Sequence, residues 1–330
     1  LQLQDLSLPY ESHNLEVATY GIAGQEYIHW YRNWENLLFN VRPKVVIAEG
    51  VPRIVSLYSM LNFARDRNMR TIAWTKYDNT ASWPKSWIWK DFLSRWDSIV
   101  CYGRSSYDGL KDMGLSDNQL NIAQNSVDLP ESEEELNNLK SVALNERRRH
   151  FSDNVPLVVS LGTLIKKKRF DLVIDAALEL FVKGRYFRLV VIGDGPEYLP
   201  LREYAALSLK TAGLHNNLIV FMGRVPDGYD QVWLSAADVS VMGGAVGLAM
   251  NVSMGCGTAT IIADETGSDS EMLVDEINGL RFVPNDHYSL ANRLDRLLLD
   301  GKMRDAISMS ARRDILANAT VGKMVDGLEK

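Results

Sequence analysis

The hydrophobic pattern of the chain alternates between two kinds of segment. Short runs rich in β-branched residues are separated by longer segments in which apolar residues recur at three- and four-residue steps, as at Phe170, Val173, Ile174, Ala177 and Phe181. This alternation is typical of parallel α/β architecture, in which a helix follows each buried strand. The predicted strands are residues 44–48, 71–75, 97–102, 157–161, 187–192, 218–222, 238–242 and 260–263.

A highly charged segment separates the two halves of this pattern. Residues 130–150 carry four glutamates near their start and three successive arginines near their end, with little apolar surface to bury. An ordinary exposed helix remains an open interpretation, but the composition change favours a linker. We expect a first domain with its linker at 1–150, a second domain at 151–317 and a C-terminal helix at 318–330 that returns to the first domain. Because the sequence begins at Leu1, we also expect the first domain to lack its first strand.

Composition narrows the functional classes. The 330 residues are 46% hydrophobic, which suits two cores, and the net charge of −6 without a long basic tract argues against a nucleic-acid partner. Two isolated cysteines favour a reducing compartment and no structural metal. No apolar run reaches the roughly 18 residues of a membrane span, and no signal peptide opens the chain. These features predict a cytoplasmic protein.

Four tryptophans crowd a short basic segment, and two interpretations of it remain open. Trp83, Trp87, Trp89 and Trp96 lie among basic residues, and the apolar residues from Trp87 to Trp96 have helical spacing. Such a helix could rest on an anionic membrane at the inner face of the cell. Aromatic residues at these steps are more often part of a core or of a pocket wall.

The predicted glycine turns of the second half all fall at carboxyl ends of strands, where parallel α/β sheets bind ligands. Gly243, Gly244 and Gly247 lack a Cβ atom, so their backbone can approach a ligand closely. The helix that follows presents free N–H groups at its start, and such groups bind anions. An ordinary loop-to-helix junction is the alternative.

Five motifs, in the right order, resemble the donor-binding domain of family 4 glycosyltransferases. They are SLGTLIKKKRFD at 160–171, VVIGDGPE at 190–197, IVFMGRVP at 219–226, AADVSVMGGAVGL at 236–248, and MGCGTATIIAD at 254–264 with NGLRFV downstream. The AQNSVD segment at 123–128 is similar to the family's Asn-x-x-Asp motif. The resemblance implies the GT-B fold, an α/β architecture of two facing Rossmann-like domains with parallel sheets.

The resemblance also implies roles for individual residues. Lys168 would bind the donor diphosphate, and a fixed cation beside that group stabilises the charge that develops on the leaving group without a metal ion. A solvated loop is the alternative for the three lysines, but their place between a buried strand and a helix favours phosphate. The implied donor-binding residues are Gly162, Thr163, Lys167, Gly223, Arg224, Val225, Gly244, Ala245, Val246, Gly247 and Leu248.

The chain departs from the family pattern at several of these positions. Gly244 and Val252 stand where the family usually has two glutamates, which contact the donor sugar and the ribose. Thr163 replaces the arginine that commonly follows the glycine of the phosphate loop, and Lys76 replaces a histidine at a strand end. Lys76 is a second catalytic candidate, facing the cleft from the first domain. Glu49 and Asp78 are the acceptor-side candidates, although both could be turn residues.

These features predict a glycosyltransferase of the hexosyltransferase type. It would move a sugar from a UDP- or GDP-linked donor to a glycan, a lipid-linked acceptor or a small molecule, with retention of configuration. No Asp-x-Asp motif or histidine cluster is present, so we expect neither a metal nor another cofactor. A catalytically silent GT-B subunit that binds glycans or stabilises a partner is the alternative. A nucleotide-sugar epimerase lacks support, because the chain shows no acidic and histidine catalytic set.

Overall fold

The structure, a computed structural model, describes residue 13 and residues 15–22, 25–77, 85–151, 155–265 and 267–329. The chain forms two compact units. The first comprises Leu1–Cys101 with Ser106–Asn121, and the second comprises Tyr102–Ser105 with Ile122–Lys330.

A four-stranded sheet and an antiparallel hairpin make up the strands of the first part of the chain. The hairpin pairs β1 (Val17–Ile22) with β2 (Gln25–Tyr31). The sheet has the order β3 (Val45–Glu49), β4 (Arg70–Thr75), β5 (Ser98–Cys101) and β6 (Leu120–Ile122), with β3, β4 and β5 parallel. The helices are α1 (Trp34–Val41), α2 (Ser56–Asp66), α3 (Lys85–Leu93) and α4 (Arg104–Asp112).

Helix α2 shows how local sequence builds this unit. Leu57, Met60, Leu61 and Ala64 recur at three- and four-residue steps and are buried on one face of the helix. Leu57, Met60 and Leu61 join a core that includes Phe92 of α3. The helix ends at Asp66, shortly before Asn68 takes a left-handed conformation with φ of 54°.

The tryptophan-rich segment contributes mainly to this core. Trp96 and Phe92 are buried and their rings meet edge to face, and Trp89 packs against the ring of Tyr77. Trp87 is the exposed member of the group, at 63% of its surface, and Trp83 lies outside the described residues. In the part of the chain that the structure describes, no helix combines the length and the apolar character needed to cross a bilayer.

The second unit is built on a six-stranded parallel sheet. Its strands are β7 (Leu157–Leu161), β8 (Arg188–Ile192), β9 (Ile219–Gly223), β10 (Val239–Met242), β11 (Ala259–Ala263) and β12 (Leu280–Phe282). They lie in the order β12-β11-β10-β7-β8-β9, so the direction of winding reverses between β7 and β10. The helices are α5 (Glu133–His150), α6 (Phe170–Val182), α7 (Tyr198–Thr211), α8 (Tyr229–Ala236), α9 (Leu248–Gly255), α10 (His287–Leu299), α11 (Gly301–Asn318) and α12 (Val321–Leu328).

Both faces of this sheet are covered. Successive residues of the central strands enter different cores, as Val158 packs into one cluster and Val159 into the other. Parallel sheets require this double cover, which is why their strands are almost continuously apolar. The sequence-based prediction of an α/β protein with parallel sheets is confirmed.

Helix α5, which the sequence analysis assigned to the linker, packs within the second unit. Arg147 donates hydrogen bonds to the carbonyl oxygens of Ala236 at 3.0 Å and Val155 at 2.8 Å, and pairs with Asp238 at 3.2 Å. The compact units therefore change at residues 121 and 122, whereas the predicted boundary was residue 150. Helix α12 packs through Gly327 on residues 122–123 of the same unit.

Candidate functional site

The centre of the second sheet brings two sequence-distant loops together. Strands β7 and β10 are parallel neighbours, so the loops that follow them leave the same edge of the sheet. Residues 162–169 follow β7, and residues 243–247 follow β10. A crevice forms where the winding of such a sheet reverses, and this is the usual place for a ligand.

Gly243 and Gly244 pack directly on the lysine turn. A Cβ atom on Gly243 would stand 2.1 Å from the carbonyl oxygen of Arg169, and one on Gly244 would stand 2.4 Å from that of Lys167. The N–H of Ala245 donates to the Lys167 carbonyl at 3.2 Å. The close approach that these two glycines permit is therefore to the chain's own backbone, whereas the sequence analysis attributed it to a ligand. It also explains the lost carboxylate, because this backbone has no room for a side chain at Gly244.

Lys168 lies in the crevice, held by the β10 loop. Its ammonium donates to the carbonyl oxygen of Val246 at 2.8 Å and lies 3.5 Å from the position of a Cβ atom on Gly247. The Lys168 Cε atom is 3.8 Å from the corresponding position on Gly162. Lys168 is half-buried, while Lys167 is exposed. Lys168 is thus held in position at the crevice, whereas Lys167 is exposed to solvent.

Arg169 turns away from the crevice. It stands at the N-cap position of α6 in a left-handed conformation with φ of 51°, without a side-chain capping hydrogen bond. Its guanidinium pairs with the Asp171 carboxylate at 2.9 Å and bonds to Asn285. The hydrogen bond to Asp171 raises the pKa of the Arg169 guanidinium. Of the four consecutive basic residues, Lys168 is therefore the one whose charge the local geometry directs at the crevice.

The start of helix α9 lies beside Lys168. The helix begins at Leu248, which is half-buried, and no side chain caps it. Gly247 precedes it with φ of 60° and ψ of −156°, a conformation that glycine adopts readily and other residues do not. An uncapped helix start carries partial positive charge on its N–H groups. Together with the Lys168 ammonium it can bind an anionic group such as phosphate.

A cavity of about 420 Å³ opens at the carboxyl ends of β7, β8 and β9. Gly223 ends β9, and its carbonyl accepts from the N–H of Gly193 at 2.8 Å. The lining residues are Val127, Asp128, Leu161, Gly162, Ile192, Gly193, Arg224, Val225, Pro226, Asp227, Gly228, Asp230, Gln231 and Val252. The predicted residues Gly162, Arg224 and Val225 are therefore together in one cavity.

The donor candidates differ in how they meet the crevice. Val246 is buried in the core and presents only its backbone to Lys168. Thr163 is exposed in the loop after β7. Gln231 and Asp230, which the sequence analysis did not select, line the cavity from helix α8. Their position in the sequence could have identified them, because both residues follow the GRVP motif at 223–226 and lie at the start of a helix.

Two side-chain amides hold the Asn-x-x-Asp segment against this cavity. Asn251 donates through Nδ2 to the carbonyl oxygen of Asn125 at 3.0 Å. Gln231 donates through Nε2 to the carbonyl oxygen of Asp128 at 2.8 Å. Val252, the residue after Asn251, is buried and lines the same cavity. The segment is thus fixed at both ends.

The remaining candidates belong to the first unit. Glu49 is the last residue of β3 and is exposed, and Lys76 directly follows β4 and is half-buried. Burial raises the pKa of Tyr31, and the charge of Glu49 raises it further. Asp78 lies outside the described residues. The described residues contain no group of three His, Cys, Asp or Glu side chains arranged to hold a metal ion.

Solved structures show the same fold. Anabaena HepE in complex with UDP matches with a TM-score of 0.71 at 15% identity, covering 89% of this chain and 80% of that one. A glycosyltransferase from Rickettsia africae matches with a TM-score of 0.70 at 15% identity, covering 90% and 78%. The prediction of a GT-B fold is confirmed.

Two curated relatives match part of the chain. An uncharacterized glycosyltransferase of Methanocaldococcus jannaschii is 24% identical over 186 residues, which are 56% of this chain and 44% of that protein. The α-D-kanosaminyltransferase of Streptomyces kanamyceticus is 23% identical over 167 residues, 50% of this chain and 42% of that protein. The chain thus spans less than half the length of either relative.

The decisive match is to a family model. The model described as glycosyl transferases group 1 covers residues 143–314, just over half of the chain, and includes both crevice loops and all of the cavity lining except Val127 and Asp128. The chain belongs to the group 1 family of glycosyltransferases.

Proposed function

We propose that this protein transfers a sugar from a nucleoside diphosphate donor to an acceptor hydroxyl, as a retaining enzyme of family 4. The observation that carries the proposal is the position of Lys168, whose ammonium lies beside the uncapped start of α9 at the reversal point of the sheet. The adjoining cavity at Arg224 and Val225 has the size and position to take the nucleoside.

The proposed donor is UDP-linked, with a GDP-linked donor as the alternative. HepE, which shares this fold, has been crystallised with UDP and with UDP-glucose. A hexose is accordingly the proposed sugar. The acceptor is a glycan, a lipid-linked molecule or a small molecule, and Glu49 and Asp78 are its proposed contacts. Lys76 is the second proposed catalytic residue.

The chemistry needs little from the protein beyond charge. The bond between the sugar C1 and the β-phosphate oxygen breaks, and a bond from C1 to the acceptor oxygen forms on the same face. The acceptor proton passes to the departing phosphate oxygen. Lys168 and the α9 N–H groups stabilise the negative charge that accumulates on this phosphate, and they do so without a metal ion.

The glycine at the family's first glutamate position fits this scheme. Gly244 offers no carboxylate, and its Cβ direction is filled by the Lys167 carbonyl oxygen, so the proposed contacts of the sugar hydroxyls are the backbone groups of residues 245–247. No feature of the described residues favours the alternative of a catalytically silent subunit.

The test is nucleotide affinity in a matched pair of lysine variants. Lys168→Met removes the positioned ammonium, whereas Lys166→Met removes an exposed one from the same turn. Isothermal titration with UDP and GDP should show about 10- to 100-fold weaker binding for the first variant and little change for the second, because one charge-assisted contact is worth about 1.5–3 kcal/mol. Equal affinities in both variants, or no binding of either nucleotide by the wild type, would contradict the proposal.

A further inference from the structure

Charge is unevenly distributed along the crevice of the second unit. Three carboxylates line the cavity at the ends of β7, β8 and β9, namely those of Asp128, Asp227 and Asp230. Arg224 is the one cation among the described residues that line it. Lys168, which is bonded to the Val246 carbonyl before α9, is not among the lining residues of this cavity but lies beside Gly162, which is. A ligand with an anionic end and a neutral, hydroxyl-rich end would therefore bind in one direction, with its hydroxyl groups at the carboxylates.

We propose that the Asp128 carboxylate accepts hydrogen bonds from the ribose hydroxyls of the donor nucleotide. The proposal rests on the proposed function, since it assigns the nucleoside to this cavity. It makes Asp128 a residue that specifies a ribonucleotide over its deoxy counterpart. A carboxylate that receives hydroxyl donors is among the stronger hydrogen-bonding arrangements available in a protein.

Two hydrogen bonds hold the backbone of the segment that carries Asp128, whose side chain is exposed. Gln231 fixes the Asp128 carbonyl at 2.8 Å from helix α8, and Asn251 fixes the Asn125 carbonyl at 3.0 Å from helix α9. Both side-chain amides donate to main-chain carbonyl oxygens. Within the described part of the chain, the Asp128 carboxylate itself makes no hydrogen bond or ion pair, so its oxygens remain for a ligand.

The other two carboxylates are less suited to this role. Asp230 uses its Oδ1 to accept the N–H of Gln231 at 2.9 Å, in the first turn of α8, where a carboxylate stabilises the helix start. Asp227 is exposed like Asp128, but no side chain fixes the backbone of the turn that carries it among the described contacts. Asp128 alone combines a fixed backbone with a carboxylate that has no partner in the described residues.

The position of Val252 explains why another element must supply the carboxylate. Its apolar side chain is 6% exposed and lines the same cavity. Valine offers no hydrogen-bond acceptor to a ribose, and a ribose hydroxyl buried without a partner would be costly. The neighbouring residue, Asn251, instead bonds to the segment that carries Asp128. The hydrogen-bond acceptor that α9 lacks at Val252 is therefore supplied by Asp128, on the neighbouring segment 125–128.

The experiment is a double-mutant cycle between protein and ligand. Isothermal titration measures the affinity of UDP and 2′-deoxy-UDP, and of GDP and 2′-deoxy-GDP, for the wild type, Asp128→Asn and the control Asp230→Asn. We expect the wild type to prefer the ribonucleotide by about tenfold, as one charge-assisted hydrogen bond implies. Asp128→Asn should abolish this preference by weakening the ribonucleotide alone, and Asp230→Asn should retain it. Asp128→Ser provides a second variant without the carboxylate, and melting temperatures verify that each variant is folded.

The outcomes separate the two proposals. A wild type that binds none of the four nucleotides would overturn the proposed function and this assignment with it. A wild type that binds UDP or GDP, with a preference that Asp128→Asn leaves intact, would overturn the role of Asp128 and leave the proposed function standing. Loss of the preference in Asp230→Asn instead would transfer the role to α8 and refute the assignment to Asp128.

Discussion

The contact between the glycine pair and the lysine turn predicts a measurable effect of one methyl group. Gly243→Ala would place a Cβ atom 2.1 Å from the carbonyl oxygen of Arg169. The φ angle of Gly243 lies outside the left-handed region, so alanine meets no conformational barrier there and the effect comes from the contact. An ordinary carbon–oxygen contact is about 3.3–3.6 Å. One of the two loops must therefore move by about 1.2 Å or more.

The size of the effect follows from this displacement. Overpacking of this kind costs about 1–3 kcal/mol. For a unit of this size each kcal/mol lowers the melting temperature by about 2–4 °C, which gives a decrease of about 2–12 °C. The movement also separates Lys168 from the start of α9, so UDP affinity should fall by about tenfold or more.

The assay combines differential scanning calorimetry with nucleotide titration, and Gly301→Ala is the matched control. Gly301 begins helix α11, where an added Cβ would meet only the Arg304 guanidinium at 3.7 Å. Alanine in a helix should leave the melting temperature unchanged or raise it. If Gly243→Ala matched this control in both stability and affinity, the packing of the glycine pair on the turn would be wrong.

Three further predictions concern the site and the core. Transfer with the cognate donor should persist in excess EDTA, because Lys168 supplies the charge; loss of activity that Mg²⁺ or Mn²⁺ restores would contradict this. Gly247→Val should abolish turnover and lower the melting temperature, whereas Gly213→Val, which has a similar φ of 68° and open space around it, should lower the melting temperature alone. Burial raises the pKa of the Cys256 thiol to about 11. The folded state therefore retains this proton above pH 9 and loses the associated stability as the pH rises towards 11. Urea unfolding at pH 8 and pH 10 should show a smaller loss for Cys256→Ala than for the wild type.

Much of the fold could be predicted from the hydrophobic pattern alone. The strands at 157–161 and 239–242 are almost wholly apolar and stand between clear helical periods, so their positions were fixed to within a residue. Strand β12 was not predicted, because it has only three residues, of which the middle one, Arg281, is polar. Three residues are too few to show a period. The hairpin of β1 and β2 was also missed, since residues 17–21 and 28–31 are largely exposed and give little hydrophobic signal.

The candidate site was predictable in its members but not in its contacts. The glycines and lysines could be selected by their places at strand ends. What Gly243 approaches depends on which strand lies beside β10, and the order of strands cannot be read from local sequence. Helix α5 was assigned to a linker for a similar reason, because the bonds of Arg147 to residues 155, 236 and 238 are non-local.

The distance along the chain between the two crevice loops has a consequence for how the protein acquires its activity. Lys168 and Val246, which meet at 2.8 Å, are separated by 78 positions in the sequence. Their contact can form only after β8, β9 and the intervening helices have been synthesised and β10 has inserted beside β7. Until these strands have paired, bringing Lys168 and Val246 together would cost loop-closure entropy with no packing to offset it. Nucleotide affinity would therefore appear abruptly as the nascent unit is completed, and incomplete chains emerging from the ribosome would not sequester donor.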